Sequence, residues 1–235
     1  MNSPLIDYVL HLADNTLILS QKNAEWCGHG PILEQDIAIT NISLDLLGQA
    51  RNFYQYAAQL KGGGATEDSL AYLRTEREFK NCLLVEQPAG DWGQTILRQF
   101  LFSSYQYLLY EKLQHSADAQ VAAIAAKALK EVTYHVNWSA EWVIRLGDGT
   151  EESRDRMLAG HLHDAEFGIV GALAHELGID RDERLGMQGR AKRLQRRRVG
   201  DQLGLGEEGL AGAVGHHAGT TRQPSCFAAS AIFWS

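Results

Sequence analysis

Between Pro31 and Pro88, and again from Pro88 to Pro224, no proline interrupts this chain. Proline is the residue that most reliably stops a helix, because its ring clashes with the preceding turn and it offers no N–H. Helices of twenty residues and more are therefore permitted almost everywhere, and the apolar periodicity fills that permission. Leu5, Val9, Leu12, Thr16 and Leu19 form one stripe, which predicts a helix over about 5–23. The run 26–31, Trp-Cys-Gly-His-Gly-Pro, reads as a turn, with Pro31 suited to the first turn of the next helix. That second helix is predicted over about 32–60. Ile37, Ile39, Ile42, Leu44, Leu46 and Leu47 make it apolar on more than one face, the pattern of a helix in the middle of a bundle.

Gly62-Gly63-Gly64 ends it, and Thr66 then caps a third helix expected to run to about Gln87. Asp91 caps a fourth helix to about His115, Asp118 a fifth to Leu146, and Thr150 a sixth. No segment alternates with period two. Long helices with short joints predict an all-α, antiparallel helical bundle.

Composition narrows the function. The formal net charge is -7 over 235 residues, which argues against nucleic acid as a partner. No apolar run approaches the roughly 18 residues of a membrane span, so no membrane is expected. The N-terminus carries Asp7 and Asp14 and no basic stretch, which predicts no signal peptide. Cys27, Cys82 and Cys226 have no metal-binding spacing, and an odd count fits a reducing, cytoplasmic setting. Residues 158–235 differ in character. They hold 13 of the 23 glycines and the basic run Arg190–Arg198, and they predict a second, Gly/Arg-rich region behind a bundle core at 1–157.

A long-helix bundle raises the question of a di-iron site. Such a site takes one Glu from each of two helices and a Glu-x-x-His pair from each of the other two. On the second helix the nearest candidate is Asp45 with Gly48 three residues later; on the fifth it is Glu131 with Tyr134, and His135 one residue late. Gly48 and Tyr134 thus occupy the expected histidine positions, so no metal and no catalytic residue is expected in this chain. Asp45, Gly48, Glu131, Tyr134 and His135 read as vestigial ligand positions. Asp45 and Glu131 are expected to be interior and paired with Arg51, Arg77 or Lys127, because a buried carboxylate must be paired or protonated. Glu25, Glu76 and Glu86 are spare carboxylates. His175-Glu176 lacks the second histidine of a zinc motif, since position 179 is Ile. The aromatic residues Phe100, Phe102, Tyr105, Tyr107, Tyr110, Trp138 and Trp142 exceed the needs of one buried stripe, and any that face outward are expected to anchor a contact with a partner protein.

Three segments carry a family resemblance: residues 24–53, containing EWCGH and LDLLGQAR; residues 67–88, ending in LLVEQP; and residues 126–153. They resemble the C subunits (PaaC) of the bacterial phenylacetyl-CoA ring epoxidases, which are multicomponent monooxygenases. The resemblance covers residues 5 to about 157. It implies a ferritin-like fold and a non-catalytic, structural role beside a catalytic di-iron A subunit and the other members of the complex. It also implies that the cofactors lie in those partners: di-iron in the A subunit, and FAD and iron–sulfur in a reductase that draws on NADPH. The C-terminal third departs from the family, through a frameshift or real divergence. Two other functions fit the residues alone, an active di-iron oxygenase and a stand-alone helical binding or storage protein.

Overall fold

A computed structural model describes residues 3–157, and they are all-α with no strand. Four long helices form the bundle: α1 Pro4–Ala24, α2 Leu33–Lys61, α5 Trp92–Leu113 and α6 Ala119–Gly147. A crossover between α2 and α5 holds α3 Glu67–Tyr72, a 3-10 turn at Glu76–Glu78 and the single-turn α4 Leu83–Glu86. Residues 151–157 are helical again, and Thr150 caps them by accepting from the Ser153 N–H at 3.1 Å.

The cross-helix hydrogen bonds give the directions. Ser20 with Ser43, and Asp14 with Tyr54, place α1 antiparallel to α2. Gln35 with Trp142, Asp45 with His135, and Gln49 with Glu131 place α2 antiparallel to α6. Gln49 and Gln106 meet across the core from α2 and α5, which run parallel and diagonal to each other, as the crossover requires. This is the ferritin-like arrangement of two helix hairpins.

Local signals set the helix ends. Ser3, Asp91 and Asp118 each accept a backbone N–H of the first turn through the side chain. Gly62, Gly63 and Gly64 all take positive φ, 61° to 78°, a turn that side chains beyond glycine would strain.

Three sequence expectations are corrected. The single helix over 66–87 is instead broken in three. Thr75 starts a new turn by donating its N–H to Glu78 at 2.8 Å, and α1 takes the following backbone: Asp14 accepts the Lys80 N–H at 2.8 Å and Asn15 the Cys82 N–H at 2.7 Å. These tertiary bonds outweigh a weak local helix preference. The second correction concerns which helix is enclosed. The crossover packs α4 on α1, and α1 buries twelve side chains on nearly every side. By contrast α2 buries Ile39, Ile42 and Leu46 but leaves Ile37, Leu44 and Leu47 exposed. The third concerns the aromatics of α5 and α6. Phe102, Tyr105, Tyr110 and Trp138 are buried and Phe100, Tyr107 and Trp142 half-buried, so none of the seven is an outward anchor. The Gly/Arg-rich region at 158–235, with His161, His163, His175, His216 and His217, lies outside the described residues.

Candidate functional site

The bundle interior between α2 and α6 is where a metal centre would belong. The inward stripe of α2 runs Ile39, Ile42, Leu46, Gln49, Phe53, all buried, and that of α6 runs Ala128, Val132, His135, Ser139. The inward i, i+3 pairs are therefore Leu46 with Gln49 and Val132 with His135. Each lies one residue beyond the pairs picked from sequence. Gly48 is exposed and Tyr134 is 47% exposed, so both face outward rather than into the core.

Asp45 and Glu131 sit at the rim, half-buried, and each reaches one inward residue of the facing helix. His135 Nε2 donates to Asp45 Oδ2 at 3.0 Å, and Gln49 Nε2 donates to Glu131 Oε2 at 2.8 Å. The expected cations do not pair with them. Arg51 lies beside Glu67 at 3.4 Å, and Arg77 and Lys127 are exposed. A half-exposed carboxylate keeps enough water to need no buried counter-ion, which is why a neutral amide serves Glu131. From there the polar chain continues inward: Gln106 Nε2 donates to Gln49 Oε1 at 2.9 Å and to the Tyr110 hydroxyl at 3.0 Å. Burial pushes the Tyr110 phenol well above its ordinary range, against the opposing hydrogen bond from Gln106.

These residues fit a di-iron centre poorly. Leu46 and Val132 stand where carboxylates would have to be and offer no donor atoms. Both rim carboxylates are already engaged. His135 Nδ1 is buried without a hydrogen-bond partner among the described residues, yet no group of three or more metal-ligating side chains surrounds it there. What the arrangement can do is hold α2, α5 and α6 in register through the Gln49 and Gln106 amides and the Asp45–His135 contact. The spare carboxylates lie elsewhere: Glu25 bonds Lys22, Glu86 bonds Asn81, and Glu76 is exposed.

Two further polar constellations were not foreseen. Asp14, fully buried on α1, accepts from the Tyr54 hydroxyl at 2.6 Å and from both terminal nitrogens of Arg74. Burial, then the charge and hydrogen bond of Asp14, push the Tyr54 phenol well above its usual range. Burial works against the Arg74 charge, but the hydrogen bond and charge of Asp14 outweigh it and hold the guanidinium protonated. At one end of the bundle Trp92 packs edge-on against Trp26, Trp138 and Trp142 at centroid distances of 5.1, 6.2 and 6.0 Å. Gln35 Oε1 accepts both Trp138 Nε1 at 3.2 Å and Trp142 Nε1 at 2.7 Å. Only a three-dimensional view brings these partners together, since they lie 40 and more residues apart.

No helix among the described residues is long and apolar enough to cross a membrane. The C subunit of the 1,2-phenylacetyl-CoA epoxidase of Escherichia coli (strain K12) is 54% identical over 153 residues, which cover 65% of this chain and 61% of that protein. The chain thus spans about three fifths of the length of the curated relative it matches. The family profile described as phenylacetic acid catabolic protein matches residues 1–162, and with more than half of its length so matched the chain belongs to that family.

Proposed function

We propose that this chain is the non-catalytic, structural subunit of a cytoplasmic, multicomponent di-iron monooxygenase that epoxidises the ring of phenylacetyl-CoA in phenylacetate catabolism. One observation carries the reading: the inward i, i+3 pairs are Leu46 with Gln49 and Val132 with His135, so the bundle keeps an oxygenase architecture without an oxygenase ligand set. The similarity to the C subunit of an epoxidase supports the substrate. Di-iron then belongs to a catalytic A subunit, and NADPH, FAD and iron–sulfur to a reductase. In this chain the Gln49–Gln106–Tyr110 network and the Asp45–His135 contact keep the scaffold rigid, and its outer faces hold the catalytic subunit in shape.

Reconstitution tests this. The chain is combined with the reductase and the catalytic subunit, and NADPH-dependent oxidation of phenylacetyl-CoA is followed. The expected result is no turnover from chain plus reductase, and turnover by the catalytic subunit that falls when the chain is left out. Turnover from chain plus reductase alone would overturn the structural role, and indifference of the catalytic subunit would overturn the partnership.

A further inference from the structure

The crossover is tied to α1 through its backbone, and one of the side chains that holds it can change its charge. Residues 79–82 belong to no helix, so their N–H and C=O groups need partners from elsewhere. Three side chains of α1 supply them. Asp14 accepts the Lys80 N–H at 2.8 Å, Asn15 Oδ1 accepts the Cys82 N–H at 2.7 Å, and His11 Nδ1 meets the Lys80 carbonyl at 2.5 Å. Positions 11, 14 and 15 stand at i, i+3 and i+4 and share one face of the helix. The segment they hold leads directly into α4, whose Leu84 and Val85 are fully buried.

These bonds fix the protonation of His11. A carbonyl oxygen only accepts, so the hydrogen of the ring sits on Nδ1. Cys82 orients the Asn15 amide: Oδ1 takes its N–H, and Nδ2, a donor, is left facing His11 Nε2 at 3.2 Å. Nε2 is therefore a bare acceptor. The contacts match only while the imidazole is neutral. A proton on Nε2 sets two donors against each other. Turning the Asn15 amide over does not relieve this, because Nδ2 then faces the Cys82 N–H. One hydrogen bond is lost in either orientation, at an asparagine that is only 2% exposed.

The charges around the clasp are already matched among the described residues. On α1, Asp7 pairs with Lys80 at 3.6 Å and Asp14 with Arg74. On the crossover, Glu78 is held by Thr75 and lies in the field of Arg74 and of Lys61, the last residue of α2. Glu86 of α4 accepts from Asn81. Each of these carboxylates thus has a partner before His11 gains a charge.

We propose that His11 is an acid-sensitive latch: neutral, it clasps residues 80–82 to α1, and protonated, it releases them and loosens the seat of α4. Histidine is the side chain whose ordinary titration falls between pH 5 and 8, so the latch responds to mild acidification.

The test uses the full chain. Amide hydrogen exchange at Lys80 and Cys82 is followed by NMR from pH 8 to pH 5.5, corrected for the intrinsic effect of pH on exchange and compared with Val132 in the core of α6. Wild-type protection at Lys80 and Cys82 should fall about fivefold, the worth of one hydrogen bond, while Val132 holds steady. His11→Gln should abolish the fall. Asn15→Asp should reverse it, because a carboxylate accepts both the Cys82 N–H and a protonated Nε2. The nitrogen-15 shifts of the His11 ring at pH 8 read the tautomer in the wild type, without any variant, and should show the hydrogen on Nδ1. A ring protonated on Nε2 at pH 8 would overturn the latch. So would equal protection at pH 8 and 5.5, a fall that survives in His11→Gln, or a wild-type response in Asn15→Asp.

Discussion

Arg74, on the crossover, reaches back to Asp14, a fully buried carboxylate on the first helix, and binds it through both terminal nitrogens. The same guanidinium donates to the Tyr54 hydroxyl at 3.2 Å and stacks over Phe79 at 4.3 Å. One ion pair thereby ties together α1, α2 and the segment that joins the two hairpins.

Removing the cation strands the carboxylate. Arg74→Leu should cost about 3–5 kcal/mol of folding free energy, because an unpaired charge is then left in the interior. The double variant Asp14→Leu with Arg74→Leu should cost clearly less than the single one, since no charge remains to be desolvated. Urea denaturation of both variants checks the order, and a double variant less stable than Arg74→Leu alone would contradict it.

Asp118 gives the fold an acid limit. It accepts the Tyr56 hydroxyl at 2.5 Å and the Val121 and Gln120 N–H groups at 2.9 and 3.0 Å, and these bonds hold its carboxyl below the usual carboxylate range. A depressed folded pKa means that its stabilisation is complete above the unfolded pKa of about 3.9 and is lost as pH falls through the folded value. Asp118→Ala should cost about 1 kcal/mol at pH 7, the usual worth of such a cap. The gap between variant and wild type should narrow as pH falls below the unfolded carboxyl's range and through the lower folded value. A gap that does not narrow at all with falling pH in denaturant titrations would show that the carboxylate charge is not involved.

How much of this is legible in the sequence depends on range. Asp91 and Asp118 announce the starts of α5 and α6 because a cap acts on residues two and three positions away. The break at Thr75 has a local signal, the capping pair Thr75 and Glu78, but the backbone that follows it is not legible, since Asp14 and Asn15 hold Lys80 and Cys82 from more than sixty residues away. The site is displaced by one residue for a different reason. Asp45 and Glu131 draw notice as carboxylates, while the spacing Ile39, Ile42, Leu46, Gln49, Phe53 already traces the inward line and places Gly48 off it. Periodicity, not residue type, holds that information. Leu33, Ile37, Leu44 and Leu47 read as core because an apolar periodicity on a second face does not say whether anything packs on it, and among the described residues they are exposed.

Gln35 should control the tryptophan cluster. Its carbonyl is the shared acceptor for Trp138 and Trp142, and Trp138 is buried. Gln35→Leu leaves two indole donors without that partner, which should cost about 1–3 kcal/mol. Four of the five tryptophans lie in this cluster, so intrinsic fluorescence should report the change directly, with an altered emission maximum in the folded state. Unchanged emission and stability would mean that the indoles find other acceptors.

Iron should not be retained. A di-iron centre needs carboxylates at the inward positions of α2 and α6 to neutralise two cations held close together. Leu46 and Val132 occupy those positions, and Gln49 supplies at most a neutral amide oxygen. The nearest carboxylates, Asp45 and Glu131, lie toward the rim and are held by His135 and Gln49, so metal entry would first have to break both contacts. Chain produced with excess iron and then dialysed should therefore hold far less than one iron per molecule by plasma mass spectrometry. Adding Fe(II) or Zn(II) should leave the melting temperature unchanged, because only a ligand that prefers the folded state raises it. Two irons per chain, lost together in Asp45→Asn with Glu131→Gln, would establish a metal centre at the rim and overturn the assignment of this bundle as a scaffold.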